Sequence, residues 1–137
     1  MLNWSSPEII EVPTITDQLG SLSVVEGDSP FPFPIRRVYF IHSVVPGAVR
    51  GSHAHKALRQ LIVAVSGSFI VTLDDGVSST DWLLDTPTRG LVVPPGCWRT
   101  LSEFTPGSAA LVFASDEYDP DDYIRDYDDF VAWARSD

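Results

Sequence analysis

Proline and glycine break this chain into segments too short for long helices. Eleven prolines and nine glycines fall among 137 residues, and no apolar pattern of period 3.6 reaches helix length before residue 120. The segments between them are short, apolar or alternating, and rich in β-branched and aromatic residues, which is how strands read. Nine strands are expected, at 21–25, 35–43, 50–55, 60–66, 68–74, 80–84, 90–93, 99–104 and 109–114. The turns agree. "VSGS" (65–68) and "LDDGVS" (73–78) read as hairpin connections with a glycine available for positive φ. So many short strands in one chain of this length predict a single all-β domain, a sandwich or small barrel. The proline-dense "GDSPFPFPIRR" (27–37) is expected to be an irregular entry loop carrying Phe31 and Phe33. Only "RDYDDFVAWAR" (125–135) reads as a helix. Asp126 or Asp128 would cap it, and Phe130 and Trp133 would form its apolar face.

The net charge is −10, which argues against a nucleic-acid polymer as partner, because such binding needs a basic face. Eight of the nineteen acidic residues sit between Asp116 and Asp129, leaving the rest of the chain close to balance. A small anionic ligand held by local arginines therefore remains open. No apolar run approaches the ~20 residues of a membrane span. The N-terminus lacks a basic stretch followed by an apolar one, so no secretory leader is expected. Cys97 is the one cysteine and cannot form a disulfide within the chain. A cytoplasmic location is expected.

"RGSHAHKALRQ" (50–60) holds two of the three histidines, at i and i+2. In a strand such residues share a face. His53 and His55 therefore project together, with small Gly51, Ser52 and Ala54 leaving room beside them. The spacing resembles the first motif of the cupin superfamily, in which H-x-H is followed by a glutamate and a turn glycine, and a later histidine follows P-x-G. Here Gly67 and "VVPPGCWR" (92–99) match the turns. Arg59, Gln60 and Leu61 stand where the glutamate would be, and Trp98 or Arg99 where the last histidine would be. Two ligands of four are thus missing, and an arginine repels a cation and has no lone pair to give. No metal and no cofactor is expected. Imidazoles that exchange protons near neutral pH are the reading that remains. In "RVYFIH" (37–42), alternation puts Arg37 and Tyr39 on one face and His42 on the other. A phenol beside the histidines can donate a proton or stabilise a developing oxyanion.

Taken together, "RRVYFI", "RGSHAHKALRQLIVAVSGSFIVTLDDG", "GLVVPPGCWRTL" and "ASDEYDPDDYIRDYDDF" resemble the sugar 3,4-ketoisomerases of the WxcM-like cupins, over roughly residues 8 to 133. The resemblance implies a jelly-roll cupin fold, no metal, and a homodimer that exchanges N-terminal strands. It implies a thymidine-diphosphate-linked 4-keto-6-deoxyhexose as substrate, whose carbonyl moves from C4 to C3 through an enediol or enediolate. It implies catalytic roles for His53, His55 and Tyr39, with His55 as base at C3 and His53 as its partner. Arg37, Arg50, Arg59 and Arg99 are candidates for phosphate or sugar oxygens, since a guanidinium binds them in a fork. Trp98 or an entry-loop aromatic would stack on the thymine. Lys56 alternates away from His55 and is expected at the surface. The acidic "DYIRDYDDF" has no evident catalytic need; it is expected to be a lid or dimer element whose acids face away from the diphosphate. Two other functions remain in view: a 3,5-epimerase-like cupin acting on similar nucleotide sugars, and a cupin that binds a nucleotide sugar without turning it over.

Overall fold

The computed structural model describes residues 6–27 and 33–136; Phe31 of the expected entry loop lies outside them. Among the described residues, twelve strands and one α-helix form: β1 (Glu8–Glu11), β2 (Thr14–Asp17), β3 (Gly20–Ser23), β4 (Arg37–His42), β5 (Arg50–His55), β6 (Gln60–Ser66), β7 (Phe69–Asp74), β8 (Ser79–Leu84), β9 (Arg89–Val93), β10 (Trp98–Ser102), β11 (Ala109–Ala114), β12 (Tyr123–Ile124) and α1 (Tyr127–Arg135). One five-stranded sheet has the order β1-β9-β6-β11-β4, and a second has the order β12-β5-β10-β7-β8. The all-β expectation is borne out.

Alternation explains the core. From the first sheet, Ile62, Ala64, Leu91, Val93, Ala110 and Val112 face the gap between the sheets. Phe69, Val71, Leu73 and Leu101 meet them from the second. The intervening residues Leu61, Val63 and Val92 point the other way and pack with Val12 and Phe33. The first sheet is therefore covered on both faces over part of its area, which is why "LIVA" (61–64) reads as a continuous apolar run.

The sequence reading missed β1, β2 and β12. Each is too short, or too polar on one face, to show a period by itself; pairing defines them. β1 lies against β9, from Glu8↔Val92 to Glu11↔Arg89. β2 pairs with β3, from Thr14↔Ser23 to Asp17↔Gly20, as a two-stranded sheet of its own.

Of the two expected hairpins only β7–β8 forms, from Phe69↔Leu84 to Asp74↔Ser79; β6 and β7 lie in different sheets, so the turn between them crosses from one sheet to the other instead of pairing its two strands. Gly67, at φ +63°, makes the β6–β7 turn; a Cβ there would lie 2.5 Å from Thr105 Oγ1, so only glycine fits. α1 is shorter than expected by two residues at its start. The Asp126 carboxylate caps it by accepting a bond from the Asp129 N–H at 2.9 Å.

One irregularity aims the histidines. β5 carries an extra residue relative to β10, because Arg99 pairs with His53 but Leu101 pairs with Arg50. Gly51 sits in this bulge at φ +68°, with the Arg99 guanidinium passing over it: a Cβ at Gly51 would lie 3.5 Å from Arg99 Nη1.

Candidate active site

At one end of the gap between the sheets the apolar core gives way to polar side chains. His53 and His55 project into it from β5, Tyr39 from β4, Gln60 from β6 and Arg99 from β10. The imidazoles stand edge to face, centroids 4.8 Å apart. His55, Gln60 and Arg99 are buried, Arg99 at 1% exposure.

The hydrogen bonds fix who can donate. The Tyr39 oxygen accepts from Gln60 Nε2 at 2.9 Å and from Arg99 Nη2 at 3.0 Å. Both its lone pairs are thereby occupied, and the phenol's own hydrogen is left to donate. Arg99 Nη2 also donates to His53 Nε2 at 3.0 Å. A guanidinium has only donors, so this nitrogen of His53 is an acceptor and its ring proton sits on Nδ1. Arg99 Nε and Nη1 have no partner among the described residues, and none of the described carboxylates pairs with it. It is a buried cation without a counter-charge, a costly arrangement that an anionic group nearby relieves.

His55 is held from the other side. Its Nδ1 lies 3.0 Å from Asp122 Oδ2, while its Nε2 is buried and has no partner among the described residues. Asp122 lies in a short turn of 3₁₀ helix just before β12. β12 runs beside β5, with Tyr123 opposite His55 and Ile124 opposite Ala54. The Tyr123 ring covers both imidazoles, at 4.9 Å from His53 and 4.4 Å from His55. Arg37 reaches the Tyr123 hydroxyl at 3.4 Å and lies 4.6 Å from the centre of the Tyr39 ring. The acidic run therefore does not face away throughout: Asp122 enters the site. Together with Arg37, Leu58, Tyr118 and Tyr123 it lines a recess of about 290 Å³.

The other sequence candidates lie elsewhere. Trp98 is on the outer face of β10, edge-on to Tyr127 at 5.3 Å and packed with Ala54, Ile124 and Phe130. Arg50 is exposed and lines a separate recess with Phe40, His42 and Ala48. Arg59 and Lys56 are exposed. The Arg59 backbone is tied to Ser115 by two bonds of 3.0 Å. His42 faces outward and is exposed. Asp122 and Tyr123 were missed because their only signal lay in an acidic stretch that reads as solvated surface.

Both imidazoles are neutral at pH 7. Burial first, then the Arg99 charge, holds His53 down to about 3. The same two causes hold His55 down to about 4, against the pull of Asp122. In the unfolded chain both titrate near 6.5. Between about pH 4 and 6.5 the unfolded chain thus binds more protons than the folded one, and stability falls as pH drops through that window. The charged groups that face them are Arg99, Arg37, Arg125 and Asp122. We expect a lower urea midpoint at pH 5 than at pH 7. Each imidazole contributes at most about 1.4 kcal/mol per pH unit, because it differs by at most one bound proton between the two states. A midpoint unchanged between the two, or a drop that persists in full when both histidines are replaced by Gln, counts against this electrostatic picture.

Among the described residues, no three or more His, Cys, Asp or Glu side chains converge as a metal cage would. No helix among them is long and apolar enough to cross a membrane.

Comparison with known proteins agrees with this architecture. Residues 5–135 match the family described as FdtA: WxcM-like, C-terminal. The chain belongs to this family. A relative from Aneurinibacillus thermoaerophilus, TDP-4-oxo-6-deoxy-alpha-D-glucose-3,4-oxoisomerase, is 42% identical over 123 residues, or 90% of this chain and 88% of its own. Among solved structures, QdtA in complex with TDP, a sugar 3,4-ketoisomerase from Thermoanaerobacterium thermosaccharolyticum, matches this WxcM-like chain with a TM-score of 0.92. The two are 37% identical, over 94% of each chain. A mutant of QdtA in complex with TDP-4-keto-6-deoxyglucose matches equally well, with a TM-score of 0.92 and 36% identity over 94% of each chain. A dTDP-4-dehydrorhamnose 3,5-epimerase from Bacillus anthracis shares only the fold, at 17% identity and a TM-score of 0.75, over 90% of this chain and 79% of its own.

Proposed function

We propose that this protein is a sugar-nucleotide 3,4-ketoisomerase that converts a TDP-linked 4-keto-6-deoxyhexose into the 3-keto isomer. The family match and the 42% identity to a 3,4-oxoisomerase support the reaction class. The observation that carries the chemistry is the bare, buried Nε2 of His55, beside a phenol whose hydrogen is its only remaining contribution.

The steps follow from those groups. The C4 ketone acidifies the hydrogen on C3. His55 Nε2 takes that proton, and the C–H electron pair forms a C3–C4 double bond. Charge moves onto the C4 oxygen, where the Tyr39 hydroxyl donates and the unpaired Arg99 charge stabilises it. The resulting enediol loses the hydrogen of its C3 hydroxyl, the C3 carbonyl forms, and a proton is delivered to C4. His53, edge-on to His55, is the partner that carries protons in this exchange. The product is an isomer, so no oxidant, reductant or co-substrate is consumed. Arg37, at the rim of the recess, is placed to meet sugar or phosphate oxygens.

Incubation with TDP-4-keto-6-deoxyglucose in D₂O, followed by NMR, tests the reading. A carbonyl at C3 with deuterium on C4 is the expected product. Inversion at C3 and C5 with the ketone still at C4 would mean an epimerase, and binding of TDP without exchange would mean a binding module.

A homodimer is part of the same proposal. The β2–β3 hairpin leaves Ile15, Leu19 and Leu22 exposed, and the outer face of β4 leaves Val38 and Phe40 exposed. Apolar surface of this kind on a projecting hairpin and an edge strand suits exchange with a second copy. A monomer by light scattering at micromolar concentration would rule it out. We place the protein in the cytoplasm, with Cys97 as a free thiol.

A further inference from the structure

Both histidines lie on β5, and among the described residues only the two-residue β12 separates β5 from the edge of the second sheet. Without β12, β5 would itself be the edge, and its inward side chains would border water. We propose that Tyr123 is a positioning residue: its ring is the wall that keeps water off both imidazoles, and so keeps each with a nitrogen free to accept a proton. The wall serves whichever imidazole takes the proton from the sugar. Its effect on turnover rests on the ketoisomerase reading; its effect on the imidazoles does not.

Strand pairing aims the ring. Residues directly opposite each other in an antiparallel pair project to the same face. Tyr123, opposite His55, therefore points inward, and Ile124, opposite Ala54, points outward. Ile124 is buried with Ala54 and Phe130 and anchors the short strand. The inward ring meets both imidazoles, with centroids 4.9 Å from His53 and 4.4 Å from His55. It is held in turn by its neighbours. Arg37 Nη1 donates to its hydroxyl at 3.4 Å, the Arg125 guanidinium lies 4.2 Å from its centre, and the Tyr118 ring is 5.5 Å away.

An imidazole open to water protonates near pH 6.5, and an imidazolium has donors only, so it cannot act as a base. An aromatic wall displaces the water that would stabilise that charge. Its own attraction for a cation works the other way. That attraction is the weaker effect here, because burial is the leading cause that holds both imidazoles low. The charged groups that face them are Arg99 from β10, Arg37 from β4, Arg125 just after β12 and Asp122 just before it. The Tyr39 phenol faces them from β4 through its bond to Arg99. All of these side chains remain when the Tyr123 ring is cut back, so a truncation there tests the wall rather than the charges.

The test follows the histidine ring C–H signals by NMR as pH is varied. In the wild-type protein, neither imidazole should show a titration step between about pH 5.5 and 8. Tyr123→Val removes the ring but keeps a residue that suits a strand, and both midpoints should then rise toward 6.5. In the same variant kcat/KM, which reports groups of the free enzyme, should fall at pH 5.5 relative to pH 7, by about tenfold if the midpoints reach 6.5. Tyr123→Phe keeps the wall and loses only the hydroxyl contact with Arg37, so its titration and pH profile should match the wild type. Wild-type midpoints near 6.5 overturn the proposal, and they do so even if Tyr123→Val fails to fold. A Tyr123→Val protein that titrates as the wild type does overturns it as well, even if it melts at a lower temperature, since the ring would then serve only the fold. Loss of the wild-type titration in Tyr123→Phe has the same consequence. The titration needs no substrate. A protein that titrates as expected but does not turn over the 4-keto sugar nucleotide would therefore defeat the ketoisomerase reading and leave the wall standing.

Discussion

His55→Ala should lower kcat by about 10²- to 10⁴-fold while leaving TDP affinity within a fewfold of wild type. Among the described residues of the site, two acceptors are buried without a partner, His55 Nε2 and Gln60 Oε1, and only the imidazole nitrogen is basic enough to take a proton. Tyr39 cannot replace it, because its oxygen is already bonded to Gln60 and Arg99. His53 cannot replace it without first losing the Arg99 bond at its Nε2. Loss of the base should appear both as lost deuterium exchange at C3 and as lost product. His53→Ala should cost at least about 10²-fold, as the loss of a proton carrier does. Turnover at the wild-type rate in both variants would remove the imidazoles from the mechanism. Because His55 pairs with Asp122, a thermal melt of each variant should accompany the assay, so that a lost fold is not read as a lost base.

Phe130→Ala should cost about 3–5 kcal/mol and lower the melting temperature by on the order of 10 °C. Phe130 is fully buried, where α1 crosses the outer face of the second sheet. It packs on Ala54, the residue between the two histidines, and on Ile124 and Trp98. The Trp98 ring centre lies 5.8 Å away and that of Trp133 6.4 Å. Removing the ring leaves a cavity between rigid neighbours that cannot close over it. α1 also follows directly on β12, which carries Tyr123 over the imidazoles, so exchange protection of the Tyr123–Ile124 amides should fall with it. A melting temperature within about 2 °C of wild type would mean that α1 contributes little to stability.

These two residues differ in how far the sequence reveals them. His53 and His55 are legible because a strand repeats every two residues. Gly51, the short spacing and the turn at Gly67 then place both rings on one face. Tyr39 and Arg37 follow from the same alternation in "RVYFIH", and the structure puts both beside the imidazoles. Phe130 is legible as the apolar face of a capped helix. What that face rests on is not, because the contact with Ala54 joins segments far apart in the chain.

Trp98 shows the limit most clearly. Its position after P-P-G suggests a pocket residue, yet the strand turns it outward and sends its neighbour Arg99 in. One residue of register decides which of the two faces the substrate, and pairing with β5 and β7 sets that register. Asp122 is hidden for a related reason. Eight acids crowd the stretch from Asp116 to Asp129, and all look equally solvated along the chain. Only the short pairing of β12 with β5 singles out the one that meets His55.

The sequence by itself therefore determined the all-β class, the paired imidazoles, the phenol and the family, since each depends on local period or local motif. Tertiary structure alone decided which acid holds the base, which way Trp98 points and where the guanidinium lies. Those outcomes depend on strand register and on contacts across dozens of residues, and no local pattern encodes either.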